Sequence, residues 1–228
     1  MSSDGVLKEY YPKPCFQDIP EWYKDIDSYL NNNKMPFPGG NTSATIKKCM
    51  PVFDVISSGY FLYTYVDISI QQVYDENSKK IMPFYSWPAH TPIDFHPPAQ
   101  AETHPQNRGI SIPKFINPWS IKTPKGYSLY ISQPAHRDLP FTIFPAIVDT
   151  DKYTNPINFI FTLNDPNWEG IIPAGTPMAQ IMPFKRDSWK MKLGSDIDKK
   201  EAQGISDTVR SRFFDVYKNK YRSQKEYK

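Results

Sequence analysis

Apolar and polar residues alternate with a period near two over most of the chain from Thr45 to Phe184, through "TIKKCM", "YFLYTYVDISIQQVY", "SIKTPKGYSLYISQP", "FTIFPAIVDT", "INFIFTLN" and "GIIPAGTPMAQIMPF". Clusters of Pro, Gly, Asn and Asp separate these runs, the signature of short strands joined by turns. Several strands without intervening helices predict a mostly β fold, one sandwich or barrel-like domain over about residues 41–190. Two helices flank it. In "DIPEWYKDIDSYLNNN", Asp18 is placed to cap, Pro20 falls in the first turn, and Trp22, Ile26 and Tyr29 or Leu30 share a face, so residues 1–40 read as a short helix and a connector broken at "KMPFPGG". After Gly204 the period becomes helical, with Ile205, Val209, Phe213, Val216, Tyr217 and Tyr221 on one stripe, and residues 191–228 read as an amphipathic basic helix opening at Gly204 or Ser206.

The 23 prolines among 228 residues are about twice the usual share of ~5%, yet Phe, Trp and Tyr make up 15%, so the prolines punctuate strands instead of marking disorder. The stretch "SWPAHTPIDFHPPAQAETHPQNRG", residues 86–109, is proline-rich enough to predict a long irregular loop. Ala174-Gly175 is expected to form a tight hairpin turn. Cys15 and Cys49 provide neither a disulfide framework nor a thiolate metal site, and buried reduced thiols are the expectation. No apolar run reaches the roughly 18 residues of a membrane span, and the N-terminal stretch lacks a signal-peptide core; a soluble, cytoplasmic protein is expected, with no membrane partner.

The net charge of +3 is unevenly spread: residues 185–228 hold 13 Lys/Arg against 7 Asp/Glu, and residues 1–184 hold 14 against 17. A basic tail suits nucleic acid or an acidic protein surface, but the solvated face of a terminal helix has the same composition, so nucleic acid is not established as a partner. His90, His96 and His104 lie with Asp94 and Glu102 in the proline-rich loop, a mixture that suits a first-row metal. Their spacing fixes no ligand geometry, and no metal site is assigned. In "FHPPAQ", Pro97 and Pro98 stiffen the link between His96 and Gln100, which either line a pocket or belong to a rigid connection. The Gly-x-Ser-x-Gly elbow, the phosphate-binding P-loop and the dinucleotide fingerprint are absent from the sequence.

The stretch "IVDTDKYTNPINFIF", residues 147–161, sets two aspartates and a tyrosine between apolar runs. With "TPKGYSLYISQP" before it and "GIIPAGTPMAQIMPF" after it, the order resembles the second half of the dUTPase and dCTP deaminase superfamily over roughly residues 117–184. That resemblance implies a β-clip fold. It also implies that Asp149 matches the aspartate orienting the attacking water, that Gln180 matches a glutamine of the phosphate-side hairpin, and that Tyr153 stands near the tyrosine packing on the nucleoside. A carboxylate one water from phosphorus acts as general base, and a Mg²⁺-bound triphosphate is the electrophile. Lys152 interrupts the motif, the Arg-Ser-Gly phosphate-binding element is replaced by "SQPAHRD", and the glycine-rich closing arm is replaced by the basic tail. A phosphate cradle then has to come from Arg137, Lys152 or a neighbouring subunit of a homo-oligomer.

Over about residues 45–190, "ATIKKCMPVFDVISSGY", "FHPPAQ", "FINPWSIKTPKGYSLYISQP" and "IVDTDKYTNPINF" also resemble a family of domains of unknown function found in tailed phages, notably marine ones, and in some bacteria. For a phage protein the compartment is the host cytoplasm. Three functions stay open: a small-ligand-binding protein, nucleotide-directed and without a complete active site; a nucleotide pyrophosphohydrolase or deaminase using Asp149; and a phage structural or host-interaction protein. The cofactor is unknown, with Mg²⁺ implied only by the second.

Overall fold

The computed structural model describes residues 8–32, 43–106, 109–211 and 215–227. Among the described residues, twelve strands form three antiparallel sheets, so the fold is mostly β, and no sheet closes into a barrel. In chain order they are β1 (Lys13–Pro14), β2 (Tyr60–Tyr63), β3 (Ile68–Asp75), β4 (Lys80–Ser86), β5 (Ile93–His96), β6 (Ile112–Phe115), β7 (Tyr127–Ser132), β8 (Phe141–Ile143), β9 (Ala146–Val148), β10 (Phe159–Leu163), β11 (Gly170–Ile172) and β12 (Pro177–Lys185). The sheets run β1-β2-β12-β7-β9, β5-β6-β10-β8 and β11-β3-β4. Among the described residues the α-helices are α1 (Glu21–Asp25), α2 (Met50–Ser57) and α3 (Asp196–Ser211), and a separate π-helical turn covers Tyr217–Tyr221.

The chain divides into two compact units, one of residues 1–15 with 59–186 and one of residues 16–58 with 187–228. All twelve strands lie in the first. Alternation decides which side chains are interior: in β10, Phe159, Phe161 and Leu163 point inward while Ile160 and Thr162 are half-buried. All three sheets feed one core, in which the Phe161 ring stacks on Phe115 at 4.1 Å and meets Phe141 edge-on at 5.7 Å. Such aromatic pairs add about 0.5–1.5 kcal/mol each beyond the area they bury. Strand β2 is buried on both faces: Leu62 enters the main core, while Phe61 and Tyr63 pack with Cys15 in a second cluster. Gly59 precedes it at φ +79°, where a Cβ would lie 2.1 Å from the Ile181 carbonyl oxygen, so this crossing demands glycine.

Several expectations are corrected. "TIKKCM" is not a strand: Ile46–Lys48 is a 3₁₀ turn, with Lys47 N–H bonded to the Thr45 hydroxyl, and α2 follows with Pro51 in its first turn. Cys15 is buried but Cys49 is exposed. The proline-rich stretch contains β5 and a 3₁₀ turn over Pro98–Ala101; β5 sits at a sheet edge, where flanking prolines cost no ladder bonds. The turn at Ala174-Gly175 is tight, with Thr176 N–H bonded to the Pro173 carbonyl and Gly175 at φ +82°. It is a corner and not a hairpin, because β11 pairs with β3 and β12 with β2 and β7.

In the second unit, the C-terminal helix starts at Asp196, ten residues before Ser206. Ser195 caps it, with its hydroxyl 2.7 Å from Asp198 Oδ2, and Gly204 lies inside the helix. Ile205 and Val209 are exposed, and Phe213 lies outside the described residues. Asp54 of α2 is nearly buried and accepts from Arg222 Nη2 at 2.7 Å and Lys225 Nζ at 2.8 Å, which hold its carboxyl below the ordinary value.

Candidate functional site

Strand order brings the acidic stretch to one end of the five-stranded sheet. In the β9–β7 ladder Val148 faces Leu129, so Asp149 follows opposite Ser128, and Ser128 faces Phe184 of β12. Immediately past β12 stands Arg186, whose N–H groups converge on this corner. Its guanidinium forks onto Asp151, with Nη1 2.9 Å from Oδ1 and Nη2 bonded to Oδ2. Nη1 also donates to the Tyr127 carbonyl and the Ser128 hydroxyl, both at 2.9 Å, and stands 3.1 Å from Asp149 Oδ1. A planar fork on a carboxylate is among the strongest and most directional of charged contacts.

The two aspartates separate in environment. Asp151 is 3% exposed and accepts a further bond from Gly126 N–H at 2.9 Å. Arg186 first, then that backbone N–H, pull its pKa down to about 2. Asp149 is 49% exposed and accepts the Ser128 hydroxyl proton at 2.6 Å. That bond first, and Arg186 after it, hold Asp149 below the ordinary carboxylate value. Between them Thr150 is buried, bonded through its hydroxyl to Thr123 at 2.7 Å. The chain turns immediately afterwards, with the Lys152 and Tyr153 N–H groups both donating to the Asp149 carbonyl. Lys152 and Tyr153 are exposed.

The other sequence-selected residues lie elsewhere in this unit. Gln180 is fully buried in β12 opposite Ser132, and its Oε1 accepts from Ala135 N–H at 2.9 Å. Ser132 is four residues along β7 from Ser128, about 13 Å at the rise of a strand. Gln180 thus anchors the loop after β7, at a distance from Asp149. Arg137, in that loop, lays its guanidinium over the Phe61 ring at 5.1 Å. His96 and Gln100 bond each other across the two prolines, Nδ1–H donating to Oε1 at 2.6 Å. Asp94 pairs with Lys114 at 2.8 Å, and His104 stacks on Phe144 at 4.5 Å. Among the described residues, no three His, Cys, Asp or Glu side chains are grouped to hold a metal ion.

The structure therefore brings Asp149 together with Ser128, Asp151 and Arg186, and does not bring it together with Gln180, Arg137 or the His96–Gln100 pair. Ser128 and Arg186 escaped the sequence reading because their role depends on the β9-β7-β12 pairing order. The one available signal was a lone arginine directly after the last strand.

Two open grooves are lined by other residues. One, of about 620 Å³, runs along β3 and β11, with Gln71, Val73, Glu169 and Ile171 on its walls. The other, of about 590 Å³, lies in the second unit between Phe16, Phe53, Ser57 and Arg222. Neither contains Asp149, Gln180 or Arg137. No protein-family model and no curated protein matches the chain. Among the described residues, no helix is long and apolar enough to cross a membrane.

Proposed function

We propose that this protein is a non-catalytic β scaffold that works by presenting surfaces to other macromolecules, the structural or host-interaction role among the three readings. One observation carries it: the carboxylates of the acidic turn are already committed to Arg186 and Ser128 within their own sheet. A general base is most effective with a pKa near the working pH and a free lone pair aimed at the attacking water. Asp149 has a depressed pKa and two donors of its own chain on one oxygen. Arg186, the arginine beside Asp149, is engaged by the same carboxylates and presents no free fork to a transferring phosphoryl group.

Exposed large apolar side chains support the surface role. Val73, Tyr74, Ile81 and Phe84 line both faces of the β3–β4 hairpin, and Trp189, Met191 and Leu193 follow the last strand. Scattered exposed hydrophobes are ordinary, whereas clusters of this kind mark contact surfaces.

Small-ligand binding is a second reading, favoured by the groove beside Phe16, Phe53 and Arg222. Melting temperature measured across a panel of deoxynucleoside triphosphates with Mg²⁺ tests both. A ligand held only by the folded state raises it by mass action. The scaffold reading expects no shift with any nucleotide; a saturable rise would overturn it in favour of the second.

A further inference from the structure

The three-stranded sheet has two unlike edges. On the outside of β4, Pro83 blunts the strand, since it has no N–H to offer another chain. Pro83 faces Gln72 of β3, and a pair containing proline at that position is one whose peptide groups point away from each other. The peptide groups of Gln72 and, two residues on, Tyr74 therefore point to the opposite edge of β3. There β11 covers only Ile68 to Ile70. Its pairing ends at Gly170, where the Trp168 ring occupies the space a Cβ would take, at 2.7 Å. Beyond that point the loop before β11 meets the edge at Gln72: the Glu169 carboxylate accepts from the Gln72 N–H at 2.8 Å, and the Gln72 side-chain amide donates to the Pro166 carbonyl at 2.9 Å. The 620 Å³ groove is the space beside this uncovered stretch, with Val73 and Ile171 exposed along it.

A strand suited to that edge is present in the same sequence. In "SWKMKLG", residues 188–194, Trp189, Met191 and Leu193 alternate with Lys190 and Lys192. If extended, the segment has one apolar and one cationic face. It lies outside any helix or strand, and its three apolar side chains are 89%, 86% and 84% exposed. Charge adds to the match: Glu169 stands at the open edge, and residues 189–193 contain two lysines and no acid.

We propose that residues 189–193 of one copy add as a strand to the free edge of β3 in a second copy, giving a homo-oligomer. Main-chain bonds to Gln72, whose N–H the incoming strand takes over from Glu169, and to Tyr74 supply affinity, as in other strand additions. The apolar face covers Val73 and Ile171, and a lysine meets the Glu169 carboxylate released from the edge. This inference rests on the surface-presenting reading and names its partner. Its failure is separable from the failure of that reading, because one is seen in mass and the other in nucleotide binding.

Sedimentation equilibrium of the full chain across a wide concentration range is the test. Wild type should self-associate. Trp189→Ser with Met191→Ser should be monomeric at every concentration, with an unchanged melting temperature at dilutions where wild type is also monomeric. Lys190→Glu with Lys192→Glu should weaken association roughly tenfold or more, since like charges across a strand pair repel, and adding Glu169→Lys should restore part of it. Tyr74→Pro removes an outward N–H without touching the β4 ladder and should also dissociate the assembly. A monomeric wild type, or an assembly indifferent to both the segment and the edge substitutions, overturns the proposal.

Discussion

Two acidic stretches of the strand-rich unit, Asp149–Asp151 and Asp165–Glu169, are similar in composition and opposite in use. The first is closed, its carboxylates taken by an arginine, a serine hydroxyl and a backbone N–H at the corner of a five-stranded sheet. Among the described residues, the second holds no cation: Asp165 accepts the Asn167 N–H of its own turn, and Glu169 caps one peptide group on a strand edge that no other strand covers. A conspicuous acidic motif thus does not tell which partners its carboxylates have. What decides is whether the pairing order supplies a cation next to it.

The largest effect should come from the core that underlies both stretches. Phe161→Ala removes a fully buried ring stacked between neighbours and should cost about 3–5 kcal/mol in denaturant unfolding. A loss below about 1 kcal/mol would mean the sheets do not share one core.

Next comes the closed corner. Arg186→Met leaves the nearly buried Asp151 with only the Gly126 N–H, and should lower the melting temperature several-fold more than any substitution of Asp165 or Glu169. Asp151→Asn in the Arg186→Met background should recover part of the loss, because it removes the stranded charge. The pH dependence has a definite sign. Asp151 has a folded pKa of about 2, below its unfolded value near 4. Its contribution is full above about pH 4 and is lost as pH falls through about 2. Acid unfolding of Arg186→Met should lack this dependence, and an acid profile parallel to wild type would place the clasp elsewhere.

At the open edge the effect should be small. Glu169→Ala removes one hydrogen bond at an exposed position and should cost about 1 kcal/mol or less. Glu169→Gln retains an acceptor and should cost less still. A loss as large as that of Arg186→Met would dissolve the contrast between the two stretches.

Much of the fold was legible because alternation is strong where one face is buried. The Phe159–Leu163 strand, the series from Tyr127 to Lys185 and the tight turn at Gly175 follow from local pattern. Misreadings came where local signals competed. "TIKKCMPVFDV" alternates loosely, but Pro51 also suits a first helical turn and the helix prevailed. Gly204 looked like a boundary, whereas the capping pair Ser195 and Asp198 set the true start. The corner at Gly175 read as a hairpin because nothing local reports which sheet a strand joins. The candidate site was legible only in part for the same reason. Asp149 and Asp151 stand out in the sequence, but Ser128 and Arg186 become their partners through strand order alone.

Phosphate and pyrophosphate release from deoxynucleoside triphosphates with Mg²⁺, by wild type and Asp149→Asn side by side, tests the central claim most directly. With Asp149 committed to Ser128 and Arg186, both proteins should release no more than buffer does, and Asp149→Asn should remain folded. Turnover by wild type that falls about 10²- to 10⁴-fold in folded Asp149→Asn, the range expected for loss of a general base, would contradict the account.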